Sequence, residues 1–332
     1  MDRRDRGKTG AEGAGAREKA GNRLVAAPPA LSAHRPFRHN PGMPMRVPRI
    51  LDPLNRPRWL LRVPLKLAIF GATVAIACFP RVDRLVRHVR HWRDPNALIA
   101  PNAPALQPLV EAFRGRLAPD CPPGEVLGHV DAFVTERIPY EWDWMTWSNA
   151  DYLPTVEEIL EAGREDCDGR ALIAASILQA VGYEAKLVTD FAHVWVDTPQ
   201  GETMSPGPVQ AITADEGGLA VQPSALAQLP RALSYGVHVF YLHRELIIVA
   251  VAWLLLISPG HGWIRRIIVL ILLVAGLGVI RQAGKDWMSS NLAGQAIGAG
   301  LLLSAVVAAM FPRKAATPSN DAPSPSQSSA PP

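Results

Sequence analysis

Gly163-Arg-Glu-Asp-Cys-Asp-Gly-Arg-Ala-Leu-Ile-Ala-Ala-Ser-Ile-Leu-Gln-Ala-Val-Gly182 is the stretch on which the fold turns. After Cys167 it is apolar almost all round, which predicts a helix over 167–181 that is buried on every side. Gly182 closes it. Cys167 falls in the first turn, where its thiol faces unpaired backbone N–H groups and the positive end of the helix dipole. The same N–H groups suit a developing oxyanion. Asp166 and Asp168 oppose a thiolate, so one there calls for a further cationic partner. The candidate is His193, in Phe191-Ala-His-Val-Trp-Val-Asp197. That segment reads as a strand with His193, Trp195 and Asp197 on one face. A Cys at a helix start beside a His on a strand is the arrangement of a base-activated nucleophile.

Working outward, helical patterns cover 105–118, 123–138 and 155–163, the last opened by the capping box Thr155-Val-Glu-Glu158. Strand-like runs follow at 185–190, 192–198 and 202–205, with Pro199-Gln-Gly201 as a turn. The fold class is therefore α+β.

Asp-Cys167-Asp-Gly-Arg-Ala-Leu, a helix ending at Val181-Gly-Tyr, the strand Ala185-Lys-Leu-Val and then His193-Val-Trp-Val-Asp together resemble the transglutaminase-like superfamily. Ile138-Pro-Tyr-Glu-Trp-Asp143 and Asp151-Tyr-Leu-Pro-Thr-Val-Glu-Glu-Ile-Leu-Glu-Ala-Gly163 resemble its bacterial branch in particular. The resemblance covers about residues 105–210. It implies a papain/transglutaminase-like domain, helices packed on an antiparallel sheet, with Cys167 as nucleophile and His193 as general base. Members usually place an Asp on the strand after the His strand; here Thr203-Met-Ser-Pro206 puts Ser205 at that place. Asp197 is the other candidate for the third role. Four residues along a strand is about 13 Å, too far for a direct carboxylate–imidazole bond unless the chain bends. A neutral orienting group is compatible with thiol chemistry.

Cys167, His193 and the nearby acids offer no ligand pair at a standard metal spacing, so no metal or other cofactor is expected. Tyr140, Trp142, Trp144 and Trp147 read either as a substrate cleft or as core. His238, His243 and His261 fall at predicted membrane edges.

The 332 residues carry a net charge of +4, but the charges are segregated. Residues 105–235 hold 7 Lys+Arg against 20 Asp+Glu, and the remainder holds 27 against 10. An acidic domain argues against nucleic acid as a partner, because phosphate binding needs clustered Lys and Arg. Three cysteines are too few for a disulfide framework. Residues 1–59 read as a disordered basic tail and 60–80 as a transmembrane helix, with a signal peptide cleaved near Ala77 as the competing reading. Residues 81–93 form a basic amphipathic helix that suits an anionic membrane surface or packs on the domain. The domain spans 105–235. A membrane region with two to three helices follows at 236–312, its apolar runs being Leu246–Ser258, Ile267–Ile280 and Leu292–Phe311. A disordered tail begins at 313. Loop charges mildly favour an N-in, four-span arrangement in a bacterial inner membrane, with the acidic domain outside the cytoplasm. The expected function is a membrane-anchored thiol hydrolase or acyltransferase acting on a peptide or amide through a Cys167 thioester. The alternative is a catalytically inactive domain that binds a peptide or partner protein in a membrane complex.

Overall fold

A computed structural model describes residues 59–205, 212–215, 218–286 and 291–310. The two expected tails, up to residue 58 and from 313 onward, lie outside the described residues. The architecture is mixed but mostly helical, with one small antiparallel sheet.

The domain contains α3 (Gln107–Arg114), α4 (Pro123–Arg137), α5 (Asp143–Thr146), α6 (Val156–Ala162) and α7 (Cys167–Ala180). Its strands are β1 (Lys186–Thr189), β2 (Val194–Thr198), β3 (Gly201–Thr203), β4 (Ile212–Asp215) and β5 (Gly218–Val221), in the order β3-β2-β1-β4-β5. The run without a polar face after Cys167 is indeed enclosed: every residue from Ala171 to Leu178 is buried. Val130, Phe133 and Val134 of α4 join it in one core with Phe113 of α3 and with Leu187, Val194 and Val196 of the sheet. Phe113 and Phe133 meet edge to face at 5.3 Å. The capping box forms at α6, with Thr155 accepting from the Glu158 N–H and Glu158 from the Thr155 N–H. Gly182, at φ 95°, lets the chain leave α7 in a conformation that L side chains rarely adopt.

The four-residue strands β4 and β5 and the helix over 229–239 are not marked in the sequence. β4 pairs with β1 in a register fixed across the sheet, Val188 opposite Thr213. Strands this short have too few alternations to declare a face.

Of the flanking helices, α1 (Trp59–Cys78) is apolar enough to cross a membrane over Leu61–Cys78. So are α10 (Trp263–Ala283) and α11 (Leu292–Met310). The other two, α8 (Leu229–Val239) and α9 (Leu242–Leu256), meet at a bend of 108° and pass the same test only as a pair, Ala225–Val239 with Leu242–Leu256. Leu246–Ser258 is therefore part of a shorter, bent element. Arg281 of α10 stitches the bend, donating to the carbonyls of Val237, His238 and Phe240 and to Glu245 Oε2 at 2.5 Å.

The basic helix α2 (Val82–His91) turns its cationic side toward the protein. Arg84 donates to the Trp147 carbonyl, Arg87 pairs with Glu158, and the His88 ring accepts from the Leu153 N–H. Val82, Val86 and Val89 are exposed, as are Asp83 and Arg90. Arg84 and Arg87 are drawn inward because the 141–168 region supplies carboxylates and carbonyls to them. Its first residues also tie the end of α1 to the domain: Arg81 N–H donates to Asn149 Oδ1, Asn149 Nδ2 returns a bond to the Arg81 carbonyl, and Ala150 N–H donates to the Cys78 carbonyl at 2.7 Å. Arg244 of α9 reaches the same loop at the Ser148 carbonyl.

Candidate active site

Cys167 opens α7, capped by Asp166, whose side chain accepts from the Asp168 N–H. The Gly169 N–H is taken by the Asp168 carboxylate. Two of the N–H groups expected to face an oxyanion are thus already occupied by acids. Gly169 is required here, since a Cβ on it would lie 1.9 Å from Glu165 Cγ. A short parallel bridge, Tyr140 with Glu165, lays the 139–141 segment beside this turn and brings Asp143 next to it.

The result is a concentration of carboxylates that linear spacing conceals. One oxygen each from Asp143, Glu165, Asp166 and Asp168 lies within 4.8 Å of the others. Asp143, Glu165 and Asp168 are buried. Glu165 accepts from Trp147 Nε1 at 2.8 Å and Asp143 Oδ2 from the Tyr152 N–H at 2.6 Å. Asp143 Oδ1 and Asp168 Oδ2 have no hydrogen-bond partner among the described residues. These hard oxygens, gathered from α5 and the α7 turn and not visible as a set in linear spacing, are of the kind that Ca²⁺ or Mg²⁺ takes. Protons serve the same end. Burial, then the neighbouring Asp166 charge, raises Glu165 to about 9. Burial raises Asp166 to about 6, and Asp143 and Asp168 lie well above the ordinary carboxylate range for the same reasons.

The thiol feels this field. Burial and then the Asp166 carboxylate push Cys167 well above an ordinary thiol, while a backbone hydrogen bond from Val194 works the other way. Cys167 therefore rests as a thiol, held there first by burial and then by the neighbouring carboxylates.

His193 stands at the tip of the β1–β2 hairpin. Asp190 Oδ1 accepts from the Ala192 and His193 N–H groups, and Phe191 adopts φ 75° to close the turn. The other Asp190 oxygen pairs with Arg231 of α8, both side chains buried. The His193 ring stacks on Trp195 at 6.3 Å, as two residues on one strand face should. Its Nε2 lies 2.9 Å from the Met204 carbonyl. A carbonyl only accepts, so Nε2 carries the proton and Nδ1 is the basic nitrogen. Burial lowers the affinity of this imidazole for a second proton.

Neither candidate for the third role holds His193 in this way. Asp197 lies opposite Lys186 at the far end of the hairpin and pairs with its ammonium at 3.4 Å. Ser205 donates to Glu202 Oε2 at 2.6 Å. Met204, at φ 58°, instead turns its own carbonyl toward the ring. Two left-handed non-glycine residues at the contacts of one histidine, each costing about 1 kcal/mol or more, are strain concentrated at the site. Sequence reading missed Met204 because a backbone carbonyl has no sequence signature. An Asp at a turn is a readable signal for Asp190; its partner Arg231, far along the chain, is not.

Cys167 and His193 open on one cavity of about 1170 Å³. Tyr140, Trp142 and Trp144 line it, with Trp142 and Trp144 stacked at 5.0 Å, whereas Trp147 packs into the interior on Tyr152. The aromatic cluster thus divides between cleft and core. His238 and His261 serve locally, at the Arg281 carbonyl and the Ser258 N–H. Cys78, Cys121 and Cys167 form no disulfide.

Comparison with protein-family models, with curated proteins and with solved structures finds no match.

Proposed function

We propose that this is a membrane-anchored thiol hydrolase or acyltransferase of transglutaminase-like type, acting on an amide through a Cys167 thioester. The observation that carries the reading is that a helix-opening Cys and a His line one cavity, the His tautomer being set by the Met204 carbonyl. His193 Nδ1 takes the thiol proton as sulfur attacks the carbonyl carbon, then passes it to the departing nitrogen. The Met204 carbonyl does for the ring what an Asn or Asp does in related thiol chemistry. Burial and, after it, the Asp166 carboxylate disfavour a free thiolate, so the proton leaves sulfur for His193 as the bond to carbon forms.

A thiol-reactive probe is expected to label Cys167 in preference to Cys121, and more slowly once His193 is replaced by Ala. Equal labelling of both cysteines before and after that change would remove the support for a coupled pair.

A second reading has its own observation. Because the Asp168 and Gly169 N–H groups are occupied and the thiol is held high, the domain also suits a noncatalytic role, binding a peptide or partner protein. Full biological activity of Cys167→Ser would favour that role over catalysis.

A further inference from the structure

The cavity that holds Cys167 and His193 is not confined to the acidic domain. At about 1170 Å³ it exceeds the roughly 300–1,000 Å³ usual for small-molecule sites. Val74, Leu233, Val239, Ile248 and Leu277 wall it on the side of the flanking helices. Val74 lies one turn, about 6 Å, before the end of α1, and Leu277 lies in α10; both helices are long and apolar enough to cross a membrane. Leu233 lines the cavity and is also 68% exposed, so the apolar wall continues onto the outer surface there. The one carboxylate on this wall, Glu245, is paired with Arg281. The cavity opens onto the surface, and an apolar cleft beside helices of membrane-crossing character is filled at least cost by alkyl chain, which gains about 0.8 kcal/mol per buried methylene. The opposite end carries Asp143, Asp166 and Asp168 around the thiol, an environment that favours an amine.

We propose that the acyl group received by Cys167 bears a long alkyl chain seated along Leu233, Val239, Ile248 and Leu277, and that its amine leaving group departs on the side of Asp143 and Asp168. The inference rests on the thiol-acyl reading above and narrows its substrate to a long-chain N-acyl amine, a lipid amphiphile. In the first step the Sγ–C bond forms, the thiol proton moves to His193, and the C–N bond breaks as that proton passes to nitrogen. Water then adds to the thioester carbonyl and the C–S bond breaks, one water proton passing through His193 to the departing sulfur. The products are the fatty acid and the amine, with the thiol restored. The indole and phenol rings of Trp142 and Tyr235, 6.1 Å apart between centroids, also line the cavity and offer polar edges to the junction of chain and head group.

The test uses the full chain in nanodiscs, labelled with N-ethyl iodoacetamide and read cysteine by cysteine by mass spectrometry. N-Hexadecanoylethanolamine is expected to slow labelling of Cys167 tenfold or more while leaving Cys121 unchanged. N-Acetylethanolamine should have no such effect. Leu277→Trp, and separately Leu233→Trp, should reduce the protection by the long-chain amide to less than threefold. Selective labelling of Cys167 without protection by the long chain would overturn the inference and leave the thiol-acyl reading standing. Protection by a soluble acetyl-peptide amide instead would assign the cavity to peptide and likewise overturn it. Absence of selective Cys167 labelling in the first place would sink the thiol-acyl reading and this inference with it.

Discussion

The two ends of the cavity around Cys167 are made from opposite materials. At one end Asp143, Glu165, Asp166 and Asp168 bring an oxygen each within 4.8 Å, against the start of a helix. At the other, Leu233 and Ile248 from the bent pair α8 and α9 and Leu277 from the membrane-crossing type helix α10 present alkyl groups. On the proposed reading the acidic end would tune the sulfur and the apolar end would select what reaches it. The difference then teaches that reactivity and selection can be set by separate elements. Changes at the first should affect every substrate alike, and changes at the second should act through chain length.

The largest separation of the two ends is expected from Cys167→Ala, which removes turnover of long and short acyl amides equally, by roughly 10³-fold or more. Any chain-length dependence in that loss would blur the division. His193→Ala is expected to lower turnover by about 10²-fold with both chain lengths, in line with the loss of a general base. Its apparent substrate affinity should stay near that of the parent chain.

Arg231→Met tests the join between the ends, since Arg231 sits on α8 and Asp190 on the His193 hairpin. Leaving the Asp190 carboxylate buried without its partner should cost about 3–5 kcal/mol in a denaturant titration. Asp190→Asn combined with Arg231→Met should recover a good part of that loss. An unchanged unfolding midpoint in the single variant would mean that hairpin and helix are not coupled.

Asp143→Asn is confined to the acidic end. Taking away a carboxylate that raises the Cys167 thiol should move the midpoint of its alkylation-against-pH curve to lower pH. A shift to higher pH would contradict the electrostatic account.

The last test is the dependence of stability on pH. Asp166 at about 6 and Glu165 at about 9 keep their protons in the fold at pH values where an unfolded chain, at its ordinary 3.8 and 4.5, has released them. The folded state then binds more protons than the unfolded one, so stability is greatest below about pH 4 with respect to these groups. It falls as pH rises toward 6 and again toward 9. A thermal-melting series across that range should show the decline, and millimolar Ca²⁺ or Mg²⁺ at pH 8 should reverse part of it if the oxygens hold a cation.

How legible all this was depends on distance along the chain. The buried helix, its exit at Gly182 and the capping box at Thr155 are local patterns, and the structure places them within a residue or two of expectation. The His193 hairpin is local as well. The orienting Met204 carbonyl is not legible, because its role depends on a left-handed backbone at one residue. The acidic cluster was half legible: Asp166 and Asp168 stand beside Cys167, but Asp143 arrives only through the bridge between Tyr140 and Glu165. For α2 the amphipathic pattern was readable, but its orientation was not. An apolar stripe and a cationic stripe are equally visible in sequence, and only the carboxylates and carbonyls opposite decide which one turns inward.

Apolar periodicity, capping residues and charge segregation are properties of neighbouring residues, so the sequence by itself determined a buried α7, an acidic mixed domain and long apolar helices beside it. What the tertiary structure alone decided is where those parts meet. It turned α8 against the His193 hairpin through Arg231 and Asp190, set a carbonyl on His193 where an acid was expected, and placed alkyl walls from the membrane-type helices on the cavity of Cys167. These are contacts between segments far apart along the chain, fixed by packing and by pairing of buried charge, and no local pattern encodes them.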